Sequence, residues 1–172
     1  MTLSATIRPA TPQDAAAVAR IYNPYIAGTI ITFEQQEVSA DDMAARMRAI
    51  AQASLPYLVL EDAGRVIGYA YAGKWHTRAA YRHTVESTIY LEGSARGSGH
   101  GRRLYAALLD ALRALPVHAV IGGISLPNES SVALHEKLGF AKVAHFPELG
   151  WKLGRWIDVG HWQLVLPIED PA

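Results

Sequence analysis

The chain of 172 residues contains no cysteine. Disulfides, thiolate nucleophiles and cysteine-based metal sites are therefore excluded by chemistry. It also lacks an excess of either charge. Sixteen Lys and Arg balance sixteen Asp and Glu, so no global field recruits nucleic acid or an anionic membrane surface, and any cationic site has to be local. No stretch approaches the roughly 18 uninterrupted apolar residues of a membrane span. The opening MTLSATIRPATPQDAAAVARIYN has no apolar run behind a basic start. Together these absences predict a cytoplasmic protein with no membrane or nucleic-acid partner and no metal. Repeats, low-complexity tracts and Pro/Gly/Ser linkers are lacking too, so one domain is expected over residues 1–172, a length that buries roughly 70% of its unfolded surface without staples.

What is present reads as mixed α/β. ATIRPA (5–10) is a short strand. Thr11-Pro12 followed by Asp14 supplies the cap, the first-turn proline and the first-turn acid of a helix that should stop at Asn23-Pro24. SADDMAARMRAIAQA (39–53) starts with a serine cap and sets Met43, Met47 and Ile50 on one face. PYLVLEDAGRVIGYAYAG predicts a hairpin around 62–64, and HTVESTIYL a further strand. GHGRRLYAALLDALRAL is a helix with Leu104, Leu108, Leu112 and Leu115 in a stripe. VHAVIGGI is a strand, NESSVALHEKLGF a helix capped by Asn128 and closed at Gly139, and two strands finish the chain.

SARGSGHGRRL (94–104) crowds three glycines and three arginines between a strand and a helix. It is not a Walker loop, because Arg102 and Arg103 stand where Lys and Ser or Thr would follow the last glycine. It departs from the dinucleotide fingerprint as well, with an arginine in place of its third glycine. Small residues let backbone approach a ligand closely, and the helix start offers open N–H groups. Cations are unfavourable at that end of a helix dipole. Arg96, Arg102 and Arg103 there imply a bound polyanion, against the simpler reading of a flexible turn with solvated arginines.

In TVESTIYL a period of two puts Thr84, Glu86, Thr88 and Tyr90 on one face and Val85, Ser87, Ile89 and Leu91 on the other. A carboxylate inside a strand is costly unless paired or used, and burial raises its pKa toward that of a general base. The plainer alternative is an ion pair of Glu86 with Arg78 or Arg82. GKWHTRAAYRH carries Lys74, His76, Arg78, Arg82 and His83 and no acid, a composition able to grip a small anionic substrate or simply to be solvated.

The pattern Arg96-x-x-Gly99-x-Gly101 between a strand and a helix, followed by SLPNESSVALHEKLGF, resembles the GNAT superfamily of acetyl-CoA-dependent N-acetyltransferases. YAGKWHTRAAYRHTVESTIYL, LPNESSVALHEKLGF, GWKLGRWIDVGHWQL and the opening IRPATPQDAAAVARIYNPYI resemble one branch of it, the phosphinothricin and methionine sulfoximine acetyltransferases, over nearly the whole chain. The resemblance implies an α/β (α+β) GNAT fold. Its central sheet would be mixed, mostly antiparallel and twisted, with about six or seven strands flanked by helices and splayed at the acetyl-CoA site. It implies acetyl-CoA as co-substrate, held by Ile89, Tyr90, Leu91, Arg96, Gly97, Ser98, Gly99, His100, Gly101 and Arg102, with Asn128 and Ser131 on the pantetheine arm.

It further implies Glu86 as general base, and Phe33, Trp75, His76, Arg78, Tyr81, Val85, Glu86 and Tyr105 around a small amine or amino-acid acceptor. His135 stands where many GNAT enzymes carry the tyrosine that protonates the leaving thiolate, and Tyr105 is a second candidate acid. Either can equally be a packed residue. His76 replaces a longer basic side chain, which leaves the acceptor open between phosphinothricin, methionine sulfoximine, methionine sulfone and other amines. Trp151, Trp156 and Trp162 could wall the pocket, fill the core or join a homodimer of the kind the resembling enzymes form. Acetylation of a protein N-terminus or lysine, and an idle CoA-binding module, are the alternative functions. The basic WHTRAAYRH disfavours a peptide groove.

Overall fold

The computed structural model describes residues 5–168. Seven strands and four helices alternate in the order β1 (Thr6–Pro9), α1 (Ala15–Gly28), α2 (Ala40–Gln52), β2 (Tyr57–Asp62), β3 (Arg65–Lys74), β4 (Thr84–Leu91), α3 (His100–Arg113), β5 (Ala119–Leu126), α4 (Glu129–Lys137), β6 (Ala141–Lys152) and β7 (Arg155–Val165). The strands form one open sheet in the order β1-β2-β3-β4-β5-β7-β6. β1–β2, β2–β3, β5–β7 and β6–β7 pair antiparallel, while β4 and β5 run parallel. The mixed, mostly antiparallel sheet expected from the sequence is thus present.

By packing, the chain divides into two compact units. One comprises Met1–Asn23, Val38–Gly73 and Thr88–Leu115, and the other Pro24–Glu37, Lys74–Ser87 and Pro116–Ala172. In the first unit α2 and α3 pack on β2. Met43 and Met47 of α2, and Leu104, Leu108, Leu109 and Leu112 of α3, are buried as their spacing requires. Asp14 closes a capping box with Thr11 at the turn leading into α1. In the second unit Val120, Ile124, Ile157, Val159 and Trp162 fill the core, and the Trp162 indole N–H donates to Glu136 Oε1 at 3.2 Å.

Two boundaries differ from the sequence reading. α1 passes through Pro24 instead of stopping before it. The proline costs one helical N–H, but Ile21, Tyr22, Tyr25 and Ile26 on either side are all buried, and that burial carries the helix on. Thr29 then closes it, its hydroxyl donating to Tyr25 O at 2.7 Å. β5 begins at Ala119 and extends to Leu126, because its register with β7 holds through Leu126↔Asp158.

Candidate active site

The glycine loop leads into the uncapped start of α3. Gly97 and Gly99 take φ of 77° and 81°, a left-handed conformation that side chains disfavour. Gly99 is the N-cap of α3, and no side chain caps that end, so the first-turn N–H groups stay open to a ligand. The Ser98 hydroxyl donates to Ala95 O at 2.9 Å, which tightens the turn. Arg103 is used structurally, donating to Ala5 O at 2.9 Å. Arg96 and Arg102 are exposed, His100 and Gly101 half-buried, and His100 Nδ1 is a buried polar atom with no partner among the described residues. Open N–H groups, exposed guanidiniums and an unsatisfied imidazole nitrogen fit a pyrophosphate. Upstream, Ile89, Tyr90 and Leu91 are half-buried, the Tyr90 ring lying edge-on to Tyr22 at 5.0 Å.

Glu86 lies in the other unit, on the first half of β4. Val85 and Ser87 on either side are buried, so the strand alternates as the sequence predicts. No ion pair joins Glu86 to Arg78 or Arg82 among the described residues. Burial instead holds its carboxyl above the ordinary carboxylate range, with the nearby His76 working in the opposite direction. Val85, expected at the acceptor, is 2% exposed and points away from Glu86 into the core, because neighbours on a strand face opposite ways.

The basic loop presents its aromatic and cationic groups together. The Trp75 ring lies edge-on to His76 at 4.9 Å, and His76 lies 5.1 Å from Tyr81. His76, Arg78 and Tyr81 are exposed. The Trp75 backbone N–H donates to Thr84 O at 3.3 Å, which ties the loop to the start of β4. Phe33 comes from the segment after α1. Its ring rests on Gly150 so closely that a Cβ there would stand 2.4 Å from it.

Gly122 and Gly123 divide the predicted residues between two faces. A Cβ on Gly122 would stand 2.4 Å from His135 Nε2, while one on Gly123 would stand 3.3 Å from Glu86 Oε1. His135 and Glu86 are therefore on opposite faces of β5. His135 is buried, and its Nδ1 bonds Ser131 O at 2.7 Å, one turn back on α4. Burial lowers its pKa against that bond, which favours the neutral ring with the proton on Nδ1. Nε2 in that tautomer is an acceptor, and the ring lies against β5 at Gly122. Asn128 Oδ1 accepts from Ser131 N at 3.3 Å as the cap of α4. Tyr105 is 0% exposed on the core face of α3.

A family model described as acetyltransferase (GNAT) domain matches residues 7–161. The chain belongs to the GNAT acetyltransferase family. It is 41% identical over 165 residues to the phosphinothricin N-acetyltransferase of Streptomyces viridochromogenes, covering 96% of this chain and 90% of that one. It is 37% identical over 161 residues to the L-methionine sulfoximine/L-methionine sulfone acetyltransferase of Salmonella typhimurium, covering 94% of each. Among solved structures, yncA, an acetyltransferase from Salmonella typhimurium with its cofactor acetyl-CoA, superposes with a TM-score of 0.94 at 36% identity over 98% of both chains.

One residue of this GNAT acetyltransferase escaped the sequence reading. His161 on β7 sits directly across from Gly123, with its Nε2 3.5 Å from the point a Gly123 Cβ would occupy. Trp75 and Phe146 meet its ring edge-on at 5.7 and 5.4 Å. The one available signal was the alternation of GRWIDVGHWQL, which does not reveal that a β7 residue faces Gly123, 38 positions earlier. Among the described residues no cluster of three metal-ligating side chains occurs, and no helix is long and apolar enough to cross a membrane.

Proposed function

We propose that this GNAT acetyltransferase moves the acetyl group of acetyl-CoA to the amino group of a small amino acid with an anionic or tetrahedral head, such as phosphinothricin, methionine sulfoximine or methionine sulfone. The observation that carries this reading is Glu86: a half-buried carboxylate with no ion-pair partner among the described residues, beside the open floor of Gly123 and near the cationic, aromatic loop from Trp75 to Tyr81. Acetyl-CoA supplies an activated thioester. Every other step falls to the chain's own groups.

Glu86 removes a proton from the acceptor ammonium, leaving a neutral amine able to attack the thioester carbon. A backbone N–H near Ile89 stabilises the oxyanion that develops. Arg78 supplies a guanidinium to the acceptor's carboxylate or phosphinate, with Trp75, His76, Tyr81 and Phe33 shaping the pocket. The loop from Arg96 to Arg102 holds the pyrophosphate, and Asn128 and Ser131 contact the pantetheine arm. The protein works in the cytoplasm as a homodimer in this reading.

Thiol release from acetyl-CoA, measured over a panel of amino acids and their sulfoximine, sulfone and phosphinate analogues, tests the acceptor class. Turnover confined to a few of these is expected; a flat panel with turnover on peptides overturns it. Glu86→Gln should lower kcat by about 100-fold or more on the best acceptor. Unchanged turnover would remove the general-base role.

A further inference from the structure

The space above Gly123 has two ionisable borders. Glu86 Oε1 lies 3.3 Å and His161 Nε2 3.5 Å from the point where a Cβ on Gly123 would stand. The strand registers explain the convergence. His161 pairs with Gly123 across β5–β7, and Glu86 pairs with Ile121 across β4–β5, two residues before Gly123 and on the same face. Gly123 is exposed. A carboxylate and an imidazole therefore face one solvent-reachable volume that any side chain at position 123 would fill.

The imidazole is held in place without being consumed. Trp75 and Phe146 fix its plane from the loop and from β6, and Nδ1 is buried with no hydrogen-bond partner among the described residues. With the proton on Nδ1, Nε2 turns a lone pair toward the floor. Trp75, Phe146, Gly123 and Ala144, which is registered with His161 on β6, carry no charge. Val159 and Gln163, on the same face of β7, carry none either. Glu86 from β4 is the titratable group across the floor, and His76 of the loop acts on it from nearby. Burial raises the carboxyl of Glu86 and lowers the imidazole of His161, which moves their proton affinities toward one another.

We propose that His161 is a second proton carrier of the acceptor site, taking from Glu86 the proton that Glu86 takes from the acceptor ammonium. An ammonium N–H bond breaks as a carboxyl O–H forms. That O–H then breaks, through a water over Gly123, as an N–H forms on His161 Nε2. The imidazolium gives the proton to solvent, and both groups return to their starting state with no electrons exchanged. The proposal rests on Glu86 being the base.

Steady-state and single-turnover thiol release across pH 6 to 9, with His161→Gln and His161→Asn, tests it. Both variants should keep the melting temperature within a few degrees and the acceptor KM within about twofold. In dilute buffer kcat should fall about tenfold or more, and added imidazole should restore most of it. Gly123→Ala, which fills the shared volume, should show a similar fall without rescue. A His161→Gln enzyme with wild-type kcat and pH profile overturns the proposal, as does a fall that imidazole leaves unrelieved. Glu86→Gln run in parallel separates the two readings. If it loses turnover while His161→Gln does not, only the role of His161 fails; if it too is active, the base assignment fails and the relay with it.

Discussion

Arg8 donates to both carboxylate oxygens of Asp14 at 2.8 Å, and the Thr11 backbone N–H adds a bond at 2.7 Å. These partners, the Arg8 hydrogen bonds first, lower the Asp14 pKa to about 2 from 3.8. The folded state therefore holds the proton less tightly than the unfolded chain. The resulting stability, about 1 to 2 kcal/mol, is fully present above pH 4 and is lost as the pH falls through about 2. In urea unfolding, Asp14→Asn should be less stable by that amount at neutral pH, and the gap should close between pH 4 and pH 2. A gap of constant size would assign the effect to the capping box alone. Asp14 was legible because a cap, a first-turn proline and an acid stand within the single run Thr11 to Asp14, and Glu86 because a strand period sets it on one face. His161 was not, since its meaning comes from Gly123 and Glu86, which reach it only through strand pairing. The face that His135 occupies was hidden for the same reason, being set by its approach to Gly122.

The segment between α1 and α2 shows what strand and helix signals leave out. Its Phe33 ring rests on Gly150, and Lys152, 5% exposed, donates from Nζ to Thr32 O at 2.6 Å. β6 thus anchors a loop that has no regular structure of its own. Caps and periodicity made α2, α3 and α4 readable in advance, but nothing local to positions 29–37 names a partner some 120 residues later. Burial lowers the pKa of the Lys152 ammonium, with Glu34 opposing, so its attachment to a carbonyl offsets a real desolvation cost. Lys152→Met should keep the buried stem and lose the clamp. Amide exchange over 29–37 is expected to speed up about tenfold, the equivalent of about 1.4 kcal/mol, with exchange in α3 unchanged. Acceptor KM should rise with it if Phe33 lines the pocket. Equal protection in both proteins would show that Phe33 packing alone holds the loop.

At the scale of the whole molecule, β6 is the end strand of the sheet and is twelve residues long. An open edge of that length offers N–H and C=O groups for pairing, and Pro147 with the register breaks at 142–144 and 146–150 blunts it only in part. Here Phe146 and Leu149 are exposed on β6, and Trp151 and Trp156, at 52% and 56% exposure, pack edge-on to each other at 5.1 Å across the hairpin. Exposed tryptophans cost solvation unless a partner covers them, and a two-fold axis lets one such hairpin cover its own copy. The homodimer reading draws its support from this surface. Sedimentation should give twice the 18.7 kDa chain mass at micromolar concentration. Trp151→Ser with Trp156→Ser should shift it to one chain mass while far-ultraviolet circular dichroism stays native, because both rings are more than half exposed in the single chain. If the wild type sediments as one chain, the aromatic hairpin has another purpose and the dimer is withdrawn. If the double variant stays dimeric, the contact lies elsewhere on the surface.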